Sequence, residues 1–450
     1  MQTRRDQLHA YRFMTRRAMS SLVTGEPDAV EPPMRRLTVM TISGIMVAIV
    51  VAAVFAVIGL LKGGGGDQWR NEGAVVLEEE TGARYVNIGG TLFPALNYSS
   101  AVLASGAGDA VKLQEVSRSD LATAGRGRLI GIAGLPDSMP DPEDLVRGPV
   151  SVCSQPQQEG IETLAEVVVD IGSTPAKALP STEGVYVESF DGDRFLLYGG
   201  ERLPVAREVE AALQIGEAPA PVGSAFLTSI PMGAALETPV LEAQGEPVDI
   251  GRPLRVGQVV EVNDGTFRVV LADGLARVSD VQAKLLLTAE LAGERREPIE
   301  LSLSEVLDLG EGAGLGGVMA GLPEVMPSLP SQSASTVCAV YIEGDERPGF
   351  AIPAGAGGTP TPTGESRTSR TGGADRVELE PGRGMLAAAP DAKAVYYIGA
   401  PGRRYAAAGL QTLAGFGYGE VEPVVVPAEL IAILPPGPAM DPAKARESAG

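Results

Sequence analysis

The sequence predicts a single N-terminal transmembrane helix followed by an extracytoplasmic α+β region assembled from related β-hairpin/helix repeats. Three observations carry this prediction. An uncharged apolar run occupies residues 37–61. A hairpin-like segment recurs at an offset of 110 residues. Short β-like runs separate the copies, and both cysteines of the chain fall in such runs.

The anchor is LTVMTISGIMVAIVVAAVFAVIGLL, bounded by Leu37 and Leu61. At about 1.5 Å per residue it would measure about 37 Å as a helix. A bilayer core is about 30 Å thick, so the helix can cross it with some tilt. Backbone groups in lipid must be bonded internally, which makes a helix the only form for a lone apolar run. A buried helix of a soluble protein normally keeps a polar stripe, and this run has none. Residues 1–36 carry Arg4, Arg5, Arg12, Arg16, Arg17, Arg35 and Arg36 against Asp6, Glu26, Asp28 and Glu31, whereas residues 62–81 hold only Lys62 and Arg70 as cations. The positive-inside rule therefore places the N-terminus in the cytoplasm and the chain beyond Lys62 outside. A cleaved signal peptide would have a shorter basic region and an apolar core of about 7–15 residues. Within the span Gly44, Ala48, Ala52 and Ala56 repeat every fourth residue. Such a row is either a helix-packing face or ordinary alanine facing lipid.

The 450 residues have a net charge of −21. Seven basic against four acidic groups make residues 1–36 net +3, so the remainder carries −24. An acidic exterior disfavours nucleic acid and anionic lipid as partners there and favours protein partners. The basic tail suits the anionic inner leaflet. Two cysteines cannot form a Cys-rich metal site, and outside the cell disulfides persist. The only histidine, His9, lies in the tail. The exterior therefore has no imidazole for a Ser-His-Asp or Cys-His arrangement, or for a histidine metal site.

In chain order, residues 1–36 form a basic cytoplasmic tail. Leu8, Tyr11, Met14, Ala18 and Leu22 recur at helical spacing, with Arg5, Arg12 and Arg16 elsewhere, which predicts an amphipathic helix over 4–22. Its apolar face is either solvated or docked on a partner or the membrane surface. Glu31-Pro32-Pro33 breaks it. Residues 62–73 are a Gly-rich linker. Repeat 1 (74–125) contains RYVNIGGTLFP at 84–94, which RFLLYGGERLP at 194–204 in repeat 2 (183–216) matches in register. Each reads as strand, Gly turn, strand and helix, the helices over 96–104 and 206–215. A looser copy, FRVVLADG at 267–274 followed by a helix over 278–291, defines repeat 3 (255–291), with Ser279 or Asp280 as its cap. A fourth runs through VYYIG at 395–399 and Arg403-Arg404-Tyr405 in repeat 4 with the C-terminal segment (391–442). Core segment 1 (126–182) has β-like runs at 131–134, 150–153 and 166–171. Residues 217–254 connect repeats 2 and 3. Core segment 2 (292–390) has another such run at 337–342 and a low-complexity, mobile loop over 355–376. Residues 443–450 read as a disordered tail. The Gly-Gly pairs sit between β-like runs, which predicts hairpin turns rather than phosphate loops. No G-x-x-x-x-G-K-[ST] occurs, and Gly-Lys is absent from the chain.

Several long stretches carry a family resemblance: RDQLHAYRFMTRRAMSSLV and MRRLTV before the anchor, EGAVVLEEETGARYVNIGGTLFPALNYSSAVL after it, RGRLIGIAGLPDSMP ahead of Cys153, and VPAELIAILPPGPAMDP near the end. Over about residues 3–442 the chain resembles EccB, a membrane component of the actinobacterial type VII (ESX) secretion system. The resemblance implies four related repeat domains around a β-rich core. It also implies a disulfide between two core segments, which only Cys153 and Cys338 can supply. It implies a structural subunit that forms the extracytoplasmic part of the secretion membrane complex and supports export of WXG-type proteins. Implied partners are EccC, EccD, EccE and the mycosin protease, with self-association. EccC, not EccB, carries the motor domains in that family. Members are also described as ATPases, which leaves ATP open as a ligand; the residues themselves assign no catalytic, cofactor or metal position. A surface protein that binds or acts on cell-wall polymers is the further alternative, although no spacing singles out a carboxylate pair. One departure is visible: the family pattern has Trp shortly before the first cysteine, whereas this chain has Arg147-Gly148-Pro149-Val150 and its only Trp is Trp69.

Overall fold

The computed structural model describes residues 3–25, 34–62, 67–159, 162–174, 177–289, 297–330, 336–342, 345–353, 372–400 and 402–449. The break expected at residues 31–33 and residues 355–371 of the expected mobile loop lie outside these. The chain forms two compact units, residues 1–69 and 70–450.

The first unit holds two helices. Arg4–Thr24 begins where Asp6 Oδ2 accepts from the Thr3 backbone N and Oγ1, at 3.1 and 2.6 Å. It stops at Gly25, whose φ of +72° suits glycine. Met34–Lys62 is a 29-residue helix that contains Leu37 and Leu61 and runs past both. Its segment 38–57 has a mean hydropathy of 2.6, long and apolar enough to cross a membrane.

The second unit is β-rich mixed α/β. Four of its sheets share one order of four strands, to which the first adds the short strand Gly125–Arg126. In the first, Val75–Glu78, Arg84–Ile88 and Thr91–Pro94 form an antiparallel meander, and Gln114–Val116 lies parallel to the first strand. The second uses Val185–Ser189, Arg194–Tyr198 and Glu201–Pro204, with Ala220–Val222 parallel to its first strand. The third uses Val259–Val262, Phe267–Leu271 and Gly274–Val278, with Ile299–Leu301. The fourth uses Gly384–Ala388, Val395–Gly399 and Arg403–Ala407, with Val424–Val425. In each sheet a later segment also bridges the third strand in parallel, as in Ala95↔Ile130, Val205↔Leu236, Leu275↔Glu311 and Ala407↔Met440.

The sheets close later, and the fourth opens earlier, than the sequence boundaries place them. Residues 220–222, 299–301 and 384–388, which the sequence places in connecting and core segments, pair within the second, third and fourth sheets. Two of these strands have three residues each and pair with a strand far back in the chain, so no local pattern announces them. The helices are also shorter than expected. Tyr98–Ser105 and Asp280–Leu286 are α-helical, whereas 206–215 supplies only the 3-10 turn Arg207–Val209. Ser279 is the cap: its hydroxyl accepts from Gln282 N, and Gln282 Oε1 accepts from Ser279 N. Residues 131–134 form no strand. The tail expected to be disordered contains the helix Pro442–Ala445, capped by Asp441, and Ser448 bridges Ile130. Its order comes from burial: Ala445 is fully buried, and Arg446 Nε donates to Ala104 O at 2.8 Å.

A central five-stranded sheet runs Gly349–Ala351, Val337–Tyr341, Val150–Glu159, Glu162–Ile171, Arg376–Leu379. Its core-facing side shares one core with the second and fourth sheets, through Val152, Val169, Val187, Phe226, Ala339 and Ile398. The first sheet packs on the fourth through Val86, Val102, Leu386 and Tyr405. The second and third share Leu203, Leu236, Val281 and Leu285. Each fully buried Val or Leu contributes about 1.5–3 kcal/mol. The body is thus serial, first, fourth, central, second, third, and only the second and fourth sheets share the large core of the central one.

The disulfide face and candidate assembly surfaces

Cys153 and Cys338 are directly opposite across the antiparallel pair Val150–Glu159 and Val337–Tyr341, with Cα atoms 4.0 Å apart, and are joined by a disulfide. Strand alternation explains why they meet. Val150 and Val152 point into the shared core and Ser151 and Cys153 point away; Val337 and Ala339 point in and Cys338 away. Val340 and Ala351 pack beside the bond, which is buried.

The same outward face carries charge. Arg376 Nη1 lies 3.2 Å from Glu166 Oε1, and Arg376 Nε lies 2.8 Å from Glu378 Oε1. These three side chains are only 11%, 9% and 6% exposed. Asp170 is the register partner of both Ser151 and Glu378. Burial pushes the Glu378 carboxyl up, and Asp170 and Glu166 push the same way against Arg376. Burial also raises Asp170, against hydrogen bonds from Ser173. Sequence reading missed this group because the alternating run 376–379 is only four residues long and directly follows a low-complexity stretch, and its partner strand, Glu162–Ile171, lies about 200 residues earlier.

The two matched Gly-Gly pairs are two-residue hairpin turns, closed by Ile88↔Thr91 and Tyr198↔Glu201. Their φ values, +60° and +76° in one and +59° and +78° in the other, are those of glycine. Their surroundings differ. A Cβ on Gly90 would meet nothing within 4 Å, whereas one on Gly200 would lie 2.6 Å from Arg347 Cβ. Arg347 also pairs with Glu201 at 2.8 Å. The matched arginines diverge too. Arg194 is held by Glu188 at 3.0 Å and by Glu210 at 2.6 Å, while Arg84 reaches Asp137 at 3.1 Å. Burial and the neighbouring Glu210 push Tyr186 up to about 12. On the fourth sheet a groove of about 730 Å³ is lined by Asp391, Lys393, Gln411, Thr412 and Glu422 among others.

In the first unit Gly44, Ala48, Ala52 and Ala56 are all exposed along the anchor helix. On the tail helix Leu8, Tyr11, Met14 and Leu22 are 51%, 71%, 71% and 86% exposed. Both helices therefore carry exposed apolar residues. Among the described residues no group of three or more His, Cys, Asp or Glu is arranged to hold a metal ion.

The family described as "Type VII secretion system ESX-1, transport TM domain B" matches residues 1–449, tail, anchor and body together. The chain belongs to the EccB family. As an EccB protein it is a structural component of a type VII secretion membrane complex. It is similar to the "ESX-3 secretion system ATPase EccB3" of Mycolicibacterium smegmatis, 27% identical over 97% of this chain and 89% of that protein. It is also similar to the EccB3 of Mycobacterium tuberculosis, 28% identical over 68% of this chain; that alignment spans 61% of the relative's own length. Among solved structures, an EccB3 dimer from the ESX-3 core complex is 26% identical with a TM-score of 0.65, covering 83% of this chain and 99% of that one. An intact ESX-5 inner membrane complex contains a chain of the same fold, with a TM-score of 0.66 over the whole of this chain and 96% of that chain, at 22% identity.

Proposed function

We propose that this EccB chain is the anchor and exterior scaffold of its secretion complex. Its single helix crosses the cytoplasmic membrane with the N-terminus inside, and its acidic body is built of four related modules on a disulfide-bonded sheet. The observation that carries this reading is the unbroken family match from tail through anchor to body, residues 1–449. The four-strand order common to the four sheets supports a common origin of the modules, and the EccB3 dimer supports self-association. The remaining partners, EccC, EccD, EccE and the mycosin protease, and the exported WXG-type proteins follow from family membership. In cells lacking this chain, the full sequence should restore both the detergent-extracted complex and export. Residues 67–450 alone should restore neither; full export by that piece would remove the anchor from the mechanism.

The curated relatives are called ATPases, which makes ATP hydrolysis the second reading. Against it stand the missing Walker A pattern and the exterior position of the acidic body. Purified full chain should hydrolyse no ATP. Turnover that follows the protein through purification, and disappears with a single substitution in the body, would replace the scaffold reading.

A further inference from the structure

We infer that the groove on the fourth sheet is a contact between two copies of this chain, in which Asp391 of each copy pairs with Lys393 of the other across a two-fold axis. The inference rests on the self-association in the scaffold reading and assigns it a surface. The turn that joins the first and second strands can be compared in all four sheets. In the first three it holds a left-handed glycine: Gly82 at φ +69°, Gly192 at +86° and Gly265 at +81°. In the fourth the left-handed residue is Asp391, at φ +56°. Ala392 N donates to Ala389 O at 3.1 Å, closing a turn with Pro390 and Asp391 at its centre. Proline followed by a left-handed residue is the type II pattern, whose left-handed position favours glycine or asparagine. Aspartate enters this region at a cost that glycine does not bear, so the turn gives up stability to keep a carboxylate. Lys393 follows two residues later. Both side chains are exposed, and neither makes an ion pair with a described residue.

This turn lines the groove together with apolar residues, among them Val395, Leu410 and Val425, the last 44% exposed. Val424–Val425 is an edge of the fourth sheet. Pro423 and Pro427 flank it and have no N–H to offer an added strand, so the occupant fits by side chains rather than by extending the sheet. None of the lining residues is aromatic, which leaves a sugar ring nothing to stack on. The other charge on the lining, Glu422, has Arg147 beside it, donating to its backbone oxygen at 3.2 Å. A second copy meets these requirements. An isologous contact sets the same patch on both sides, so that residue i meets j and j meets i. An acid and a base two positions apart on one exposed turn are self-complementary in that arrangement. The chain beyond the anchor is acidic, so two bodies repel except where opposite charges meet. The related EccB3 is solved as a dimer.

The test follows the dimer dissociation constant of full-length chain in detergent by analytical ultracentrifugation. In a two-fold contact each substitution appears twice. Asp391→Lys and Lys393→Asp should each weaken the dimer about tenfold or more, because like charges then face each other. An equimolar mixture of the two variants should recover wild-type affinity, since the heterodimer restores both pairs. Asp391→Gly should weaken the dimer while its Tm stays at or above that of wild type, because glycine relieves the turn. A benzophenone amino acid in place of Val425 should cross-link to the groove of a second copy. Unchanged affinity in both charge variants, or a mixture that does not recover, would overturn the contact. Cross-linking of position 425 to a different protein, or to none, would overturn it as well. A dimer indifferent to these charges leaves self-association standing and this surface wrong. Wild type that stays monomeric at every concentration removes self-association from the scaffold reading itself, and the contact with it.

Discussion

At the scale of single residues, the disulfide is the longest covalent tie in the chain, joining positions 185 apart. Loop-closure entropy puts its stabilisation at about 5 kcal/mol, an upper figure because denatured chains are not ideal. Replacing both Cys153 and Cys338 with Ser should lower the denaturant midpoint of the full chain by part of that amount. Peptide mapping without reductant should find the two positions joined; quantitative alkylation of both thiols under those conditions would refute the bond. Glycine chemistry gives a second, comparative prediction. Gly90→Ala and Gly200→Ala each force a left-handed residue, at a cost of about 1 kcal/mol. Only Gly200→Ala must also displace Arg347, so its Tm should fall further than that of Gly90→Ala. Equal losses would mean that Arg347 moves aside freely.

Among the elements, the anchor, the tail helix and the hairpins were legible because their signals are local. An uncharged run, a four-residue spacing of apolar residues, or Gly-Gly between β-like runs each needs only its own neighbours. A cap at Ser279 or Asp280 belongs to this class, and the structure places it at Ser279. The row Gly44, Ala48, Ala52, Ala56 is equally visible, but its use depends on what meets it. If it packs against another helix, Ala52→Leu should reduce recovery of the complex from detergent several-fold more than Val51→Leu, since close approach tolerates only small side chains. Equal recovery would assign the row to lipid. The closing strands escaped sequence reading: Ala220–Val222 pairs with Val185–Ser189 and Val424–Val425 with Gly384–Ala388. Two or three residues have no period, and their partners lie two strands and a 3-10 segment away.

For the whole molecule, the serial packing of the sheets makes the chain end part of the body. Residues 443–450 are polar enough to read as a loose tail, yet Ala445 is buried with Val86 and Tyr405 in the core shared by the first and fourth sheets. Arg446 reaches Ala104. Deleting 443–450 should therefore lower Tm by several degrees, consistent with a loss of about 1–3 kcal/mol for one buried small residue and one charge-assisted hydrogen bond. An unchanged Tm would return the segment to the disordered class.

The sequence by itself determined the long apolar N-terminal helix, its flanking charge asymmetry, the hairpins and their glycine turns, and the family resemblance. Each of these rests on residues adjacent in the chain or on long continuous matches. Tertiary structure alone decided the rest. It fixed the strand register that sets Cys338 opposite Cys153, paired Glu166 and Glu378 with Arg376, and ordered the sheets first, fourth, central, second, third. Such features depend on which strands become neighbours. That choice is made by burying whole faces against one another, a long-range competition that no short window of residues records.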